Sequence, residues 1–233
     1  MLTSPTSDRP ASRSARLARG VRLGLPVFLG YVPVGAAFGL AATAAGFTPL
    51  QATACSALVL AGAGQFIGLA AIASGNLVTA LVATGVVNLR YVLFSATLSP
   101  YLEGVPRWNQ ALLAFTLTDE TFAINIADAQ EGKADRFSML GVGVISWVGW
   151  TLGTAAGALA GSALGDPSKW GVQFAMPAMF TALLVGQVVG RRELVAGAIA
   201  AVAALALAAV LPGQWPVVTA AVITATIMTA AHR

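Results

Sequence analysis

From Leu23 to Leu89 the chain carries no Asp, Glu, Lys or Arg. Further uncharged runs cover Phe137–Gly165, Trp170–Gly190 and Leu194–His232. Each is long enough for at least one helix of about 20 residues across a hydrocarbon layer about 30 Å thick. Only 9% of the 233 residues are charged, whereas soluble domains carry roughly 25%. The chain is therefore read as an integral membrane protein. A β-barrel does not fit, because barrel strands alternate apolar and polar residues. These runs are continuously apolar and rich in Ala, Leu, Val and Gly.

Eight apolar segments can be drawn, at 21–46, 50–74, 76–101, 107–129, 137–163, 170–190, 193–211 and 215–231. Turn-forming stretches separate them, such as Gly46-Phe47-Thr48-Pro49 and Glu103-Gly104-Val105-Pro106. The expected fold is an all-α, polytopic transmembrane helix bundle of about eight spans. Residues 1–20, rich in Ser, Pro and Arg, read as a disordered basic tail. Residues 21–233 read as a single transmembrane transporter domain. A cleaved signal peptide does not fit: the apolar stretch after the tail is too long, holds Pro26 and Pro33, and shows no clear cleavage site.

The charges orient this topology. With a cytoplasmic N-terminus and eight spans, the inside carries Arg9, Arg13, Arg16, Arg19, Arg22, Lys133, Arg136, Arg191, Arg192 and Arg233. The outside carries only Arg107 and Lys169. That asymmetry follows the positive-inside rule and puts both termini in the cytoplasm. Seven spans with one re-entrant segment is the alternative. The second segment is then the most suspect, because Ala61-Gly62-Ala63-Gly64-Gln65 is a weak point in a helix.

A faint internal repeat is visible. Gly30, Gly35, Gly39 and Gly46 match Gly149, Gly153, Gly157 and Gly165. Ala63-Gly64-Gln65-Phe66 then matches Ala178-Met179-Phe180, as Asn76-Leu77-Val78 matches Glu193-Leu194-Val195. Transporters are often built from such repeats. Glycines four residues apart permit close helix packing. Pro26, Pro33 and Pro177 each remove a helix hydrogen bond. A simple kink and a broken helix around a binding cavity are equally compatible with them.

Charge inside a span costs roughly 2.5–3.5 kcal/mol per residue on insertion scales. Arg90, Asp119 and Glu120 are therefore the strongest functional clue. On a helix, Thr84, Asn88, Tyr91, Ser95 and Ser99 form one polar stripe. It either lines a hydrated path or bonds to a neighbouring helix. Arg90 lies off the centre of that stripe. In the fourth segment Thr118, Thr121, Asn125 and Asp128 share one side, with Thr116, Asp119 and Glu120 on the other. A helix polar all round cannot face lipid, so this segment is interior or locally unwound. Asp119 and Glu120 are about 100° apart on a helix. One can pair with Arg90, leaving the other to exchange a proton or meet cargo. A purely structural ion pair is the plain alternative. Asp128 reads as interfacial and His232 as solvated. Cys55 reads as a small buried hydrophobe, with no disulfide or Cys metal site. No nucleophile–base set, metal cluster, phosphate loop or cofactor motif is present, so an enzyme is the least favoured class. A net charge of +4 gives no sign of nucleic-acid binding.

The sequence resembles the AzlC-like family, the large subunit of branched-chain amino acid exporters linked to azaleucine resistance. The resemblance is carried by Gly30-Tyr31-Val32-Pro33-Val34-Gly35-Ala36-Ala37-Phe38-Gly39 and Ala61-Gly62-Ala63-Gly64-Gln65-Phe66. It continues through Asn88-Leu89-Arg90-Tyr91, Ser99-Pro100-Tyr101-Leu102 and Leu117-Thr118-Asp119-Glu120-Thr121-Phe122. The family more usually has His at the place of Tyr91 and Ser at that of Gly64. The resemblance implies proton-driven efflux of Leu, Ile and Val, with Met a further candidate, across the bacterial inner membrane. It also implies a small, separately encoded AzlD-like membrane partner. On this reading the cargo carboxylate meets Arg90, or free amides near Pro33 and Gly62–Gly64. Asp119 or Glu120 receives the ammonium or a proton, and the small residues beside Gln65 leave room for a branched side chain. Asn88, Tyr91, Thr118 and Thr121 complete the candidate site. An ion channel lined by the third-segment stripe and a non-transporting scaffold subunit are the rivals.

Overall fold

The computed structural model describes residues 12–73, 75, 77–133, 135–164, 174, 181, 185, 188, 190–211 and 215–230. The sixth expected segment lies almost wholly outside the described residues, as do Lys169, Pro177, the Ala178-Met179-Phe180 match and His232. Among the described residues every regular element is helical. In chain order these are α1 (Arg13–Ala44), α2 (Pro49–Leu58), α3 (Gly62–Ala73), α4 (Leu77–Asn88) and α5 (Arg90–Leu98). A 3-10 turn (Ser99–Leu102) leads to α6 (Arg107–Phe115), α7 (Asp119–Gln130) and α8 (Arg136–Leu164). Then come α9 (Arg191–Ala208) and α10 (Trp215–Ala230). The chain divides into two compact units, residues 1–62 with 89–167, and residues 63–88 with 168–233.

In the first unit, α1 and α8 are long and apolar enough to cross a membrane. α1 starts earlier than its hydropathy suggests, so residues 13–20 belong to a helix and not to a disordered tail. Ser12 caps it by accepting from the Ala15 N–H at 3.2 Å. Arg16 and Arg19 on its first turns reach Asp135 and Asp128. Pro26 and Pro33 both lie inside α1, which runs on through them. Of the two readings left open for Pro33, the broken helix is absent, since α1 is continuous there. Each proline leaves one carbonyl four residues earlier without its donor, but packing along α8 holds the helix.

That packing is made by small residues. A Cβ built on Gly35 would strike the Trp150 carbonyl, and one on Gly39 the Thr154 carbonyl. Reciprocally, one on Gly153 would strike the Val32 carbonyl and one on Gly157 the Ala36 carbonyl. Gly20 meets Ser138 and Gly161 meets Thr43, so the two helices run in the same direction. A shift of 118 residues carries Gly35 onto Gly153, Val32 onto Trp150, Gly39 onto Gly157 and Ala36 onto Thr154. The close contacts exchange under that shift.

Three expected spans are each split into two shorter helices. Segment 50–74 breaks at residues 59–61, where Val59 is extended and Gly62 takes φ +23°. The Trp147 indole N–H donates to the Ala57 carbonyl at 2.9 Å, satisfying one group at the end of α2. Buried Ser56 and Thr154 share a hydrogen bond of 2.8 Å. Segment 76–101 is interrupted at Leu89, which keeps helical dihedrals. Segment 107–129 is interrupted at residues 116–118, in line with the unwinding expected of a helix polar all round.

Segment 107–129 also reverses direction, which the eight-segment scheme did not provide for. Leu113 packs with Met139 near the start of α8. Thr116 lies against Gly143, and Thr118 reaches Tyr31, which stands edge-on to Trp150. Contacts therefore climb α8 along α6. They descend again along α7: Asp128 pairs with Arg19 and Ala129 packs with Leu113 and Met139. The two arms form a hairpin whose ends share the N-terminal end of α1 and α8. Leu102 packs there as well, and Arg107 and Met139 line one cavity. Arg107 was expected at the opposite end. Hydropathy records the apolar character of 107–129 and carries no sign of its reversal.

The second unit stands on its own packing. Gly64 and Gly68 of α3 face Asn88 and Thr84 of α4. The Thr84 hydroxyl points to the Gly64 carbonyl at 3.5 Å. Gly64 thus lies within a helix, where its missing side chain admits Asn88, and not in the unwound stretch expected of it. In the same unit α9 and α10 pack against each other.

Candidate functional site

The tip of the α6–α7 hairpin is built by a reciprocal cap. Thr118 Oγ1 accepts from the Thr121 N–H at 3.3 Å, and the Thr118 N–H donates to Thr121 Oγ1 at 2.8 Å. The Thr121 hydroxyl reaches the Thr116 carbonyl at 3.0 Å. All three threonines are buried. This satisfies backbone groups that a helix start otherwise leaves bare. It also places Asp119 and Glu120 in the first turn of α7, where the helix dipole favours negative charge.

The two carboxylates have different partners. Arg90, the first residue of α5, donates through Nη1 to Asp119 Oδ2 at 2.7 Å. Its Nε has no partner among the described residues. The guanidinium lies 5.4 Å from the centre of the Tyr91 ring. Glu120 instead accepts from the Tyr31 hydroxyl of α1. That hydroxyl is also 2.8 Å from Thr118 Oγ1. Lower down, Phe94 of α5 stacks on Phe122 of α7 with centroids 4.3 Å apart.

An aromatic wall backs Tyr31. Its ring stands 5.4 Å from Trp150 at 75°, and Phe38 stacks on Trp150 at 6.4 Å. Trp150 is 2% exposed, yet its indole N–H has no partner among the described residues. A buried unpaired donor is costly.

Arg90, Tyr91, Asp119, Glu120, Thr118 and Thr121 thus come together in the first unit, where Gly62 marks the break after α2 and Pro33 sits inside α1. Asn88, Gln65 and Gly64 belong to the second unit. There Asn88 Oδ1 lies 3.0 Å from where a Cβ on Gly64 would stand, and Gln65 is buried. Sequence reasoning passed over Tyr31, Trp147 and Trp150 as members of apolar runs. The available signal was a hydroxyl or an indole N–H inside such a run, where a polar atom needs a partner.

A second ionic cluster closes the N-terminal end of α1 and α8. Arg19 holds Asp128 with two hydrogen bonds, at 2.5 and 2.6 Å, and Ser138 at 3.0 Å. Arg16 pairs with Asp135 at 2.7 Å. Asp135 in turn accepts from the N–H groups of Phe137 and Ser138 at the start of α8. Arg16 and Arg136 lie over the Phe137 ring, at 4.7 and 4.8 Å from its centre. Among the described residues no group of three or more His, Cys, Asp or Glu could hold a metal ion.

The sequence profile of the family described as AzlC protein matches residues 26–164. The chain is 37% identical to the inner membrane protein YgaZ of Escherichia coli (strain K12), over 79% of this chain and 78% of that protein. It is 34% identical to an uncharacterized membrane protein of Archaeoglobus fulgidus, over 82% and 86%. It is 26% identical to the branched-chain amino acid transport protein AzlC of Bacillus subtilis (strain 168), over 70% and 64%. No solved structure matches. The match spans more than half of the chain, and the matched range includes the hairpin tip, Tyr31 and Arg90 described above. The protein is a membrane protein, helical in every regular element among its described residues, and the chain belongs to the AzlC family.

Proposed function

We propose that this protein is a carrier that exports small apolar amino acids across the bacterial inner membrane. Its cargo is Leu, Ile and Val, with Met a further candidate. Export is coupled to protons and uses a small AzlD-like membrane subunit. The observation that carries this reading is the unequal pairing at the hairpin tip. Among the described residues, Asp119 is matched by Arg90, whereas Glu120 is held by the neutral Tyr31 hydroxyl and no cation.

A zwitterion must shed water from both of its charges to cross. The interior therefore has to offer a substitute for each. Arg90, with one donor still unused, suits the carboxylate. Glu120 suits the ammonium, because a cationic group can displace the tyrosine hydroxyl without breaking an ion pair. Once the cargo has left, the same carboxylate exchanges a proton. The interrupted helices support a carrier as well, since discontinuous helices commonly surround transporter sites. The relative named as a branched-chain amino acid transport protein agrees in cargo class. The basic residues at the shared end of α1 and α8 favour a cytoplasmic placement of that end and of both termini.

Leucine and valine efflux is measured from cells expressing this chain with and without the small subunit, at two external pH values. Efflux that needs both chains and responds to pH is expected. No efflux with both chains present at normal levels would defeat the reading.

A further inference from the structure

Beneath the hairpin tip lies a half-open cavity of about 410 Å³, lined by α5, the 3-10 turn, α6, α7 and the start of α8. We propose that residues 107–130 enter and leave the membrane on the same, cytoplasmic side, and that this cavity is the intake chamber for an amino acid with an apolar side chain. The proposal rests on the export reading for its cargo and on the hairpin geometry for its placement.

The placement follows from contacts already given. Both arms of the hairpin return to the end of α1 and α8 that carries Arg13, Arg16, Arg19, Arg22, Lys133 and Arg136. Arg107 joins this basic end, so the charge asymmetry grows when the hairpin is re-entrant. A through-going span would put Arg107 on the opposite side and separate it from Met139, yet both line the same cavity. Backbone that is not helical at membrane depth must be buried or line a cavity. The break at residues 116–118 does so: Thr116, Leu117 and Thr118 are all buried, and Leu117 forms part of the chamber wall.

The lining fits the cargo. The volume lies within the range of about 300–1,000 Å³ typical of ligand pockets. Leu98, Leu102 and Met139 supply an apolar wall, with Ser99, Arg107 and Asn125 as polar groups. Among the described lining residues there is a cation, Arg107, and no carboxylate, and the acids stand beyond Leu117 at the tip. Cargo therefore sits with its carboxylate toward Arg107 and its ammonium toward Asp119 and Glu120. That is the orientation in which it next meets the tip.

The test uses cysteine labelling of the full chain in a Cys55→Ala background. Ser99→Cys and Ala111→Cys place thiols on exposed lining positions. A membrane-impermeant thiol reagent is applied to inside-out and right-side-out vesicles, with and without valine. Both positions are expected to react only in inside-out vesicles. Valine at ten times its dissociation constant should slow the reaction about tenfold, since only about a tenth of the chambers then stay empty. Reaction in right-side-out vesicles would overturn the re-entrant placement. Reaction from the inside at the same rate with and without valine would overturn the chamber. Protection by valine in a protein that exports none would leave the chamber standing and remove the export reading.

Discussion

Tyr31 of α1 donates its hydroxyl to Glu120 at the first turn of α7, while the neighbouring carboxylate, Asp119, takes Arg90 from α5. Two adjacent acids thereby acquire unlike environments. One is matched by a full charge and the other by a neutral donor. α7 is also tied to α1 at its far end through Arg19 and Asp128. A helix of 12 residues, about 18 Å long, is held at both ends by the same neighbour.

Tyr31→Phe isolates the hydroxyl, because the ring can still pack on Trp150. A hydrogen bond to a charged group contributes about 1.5–3 kcal/mol. If that bond sets the geometry of Glu120 during export, valine efflux falls by about 10- to 150-fold at unchanged protein amount. Combining Tyr31→Phe with Glu120→Gln should cost little more than Glu120→Gln alone, since both act on one contact. Unaltered efflux in Tyr31→Phe would show that the contact has no part in transport.

Breaking one side of a buried ion pair destabilises by about 3–5 kcal/mol, whereas removing both sides is often neutral. Arg90 and Asp119 are only partly buried, so the lower part of that range applies. Arg90→Gln and Asp119→Asn should each reduce the amount of folded protein in the membrane. The double variant should recover much of that amount while remaining inactive in export. A double variant that exports normally would reduce the pair to a structural tie.

The glycines separate contact from mere presence. Gly30 has open space where a Cβ would stand, whereas one on Gly157 would collide with the Ala36 carbonyl. Gly30→Ala should leave thermal stability in detergent within about 0.5 kcal/mol of the parent. Gly157→Ala must push α1 and α8 apart, at a cost of about 1–3 kcal/mol. Equal melting temperatures for the two variants would contradict the packing described.

The Arg19 side chain is 39% exposed, but its partner Asp128 is only 14% exposed. Arg19→Gln leaves that carboxylate without its cation, at a cost of about 1–3 kcal/mol in stability. Its effect on efflux should be larger than that loss implies if α7 must stay seated on α1 during transport. Efflux that tracks protein amount alone would count against such a coupling.

Several of these features can be read directly in the residues. Charge-free runs give helices, because lipid permits few other backbones. Glycines at four-residue spacing mark the faces on which α1 and α8 approach. The clustered glycines after Ala61 signal a weak point, and the break falls just before them. Two acids facing one base require unequal partners, but spacing alone does not choose between Asp119 and Glu120. Other features depend on tertiary contact. Pro33 leaves α1 continuous because a whole neighbouring helix supports it. Gly64 lies in a helix because Asn88 needs its space. Tyr31 resembles any aromatic in an apolar run until Glu120 is found beside it. The reversal of residues 107–130 is invisible to hydropathy, which sums apolar character without direction.

Counterflow distinguishes a carrier with its working carboxylate at the hairpin tip from a pore or a scaffold. Proteoliposomes holding this chain and its small partner are loaded with unlabelled valine and given labelled valine outside. Saturable, transient accumulation of label is expected from the parent protein and is lost in Glu120→Gln reconstituted at equal amount. Full counterflow by Glu120→Gln, or label entering without saturation through the parent protein, would contradict such a carrier.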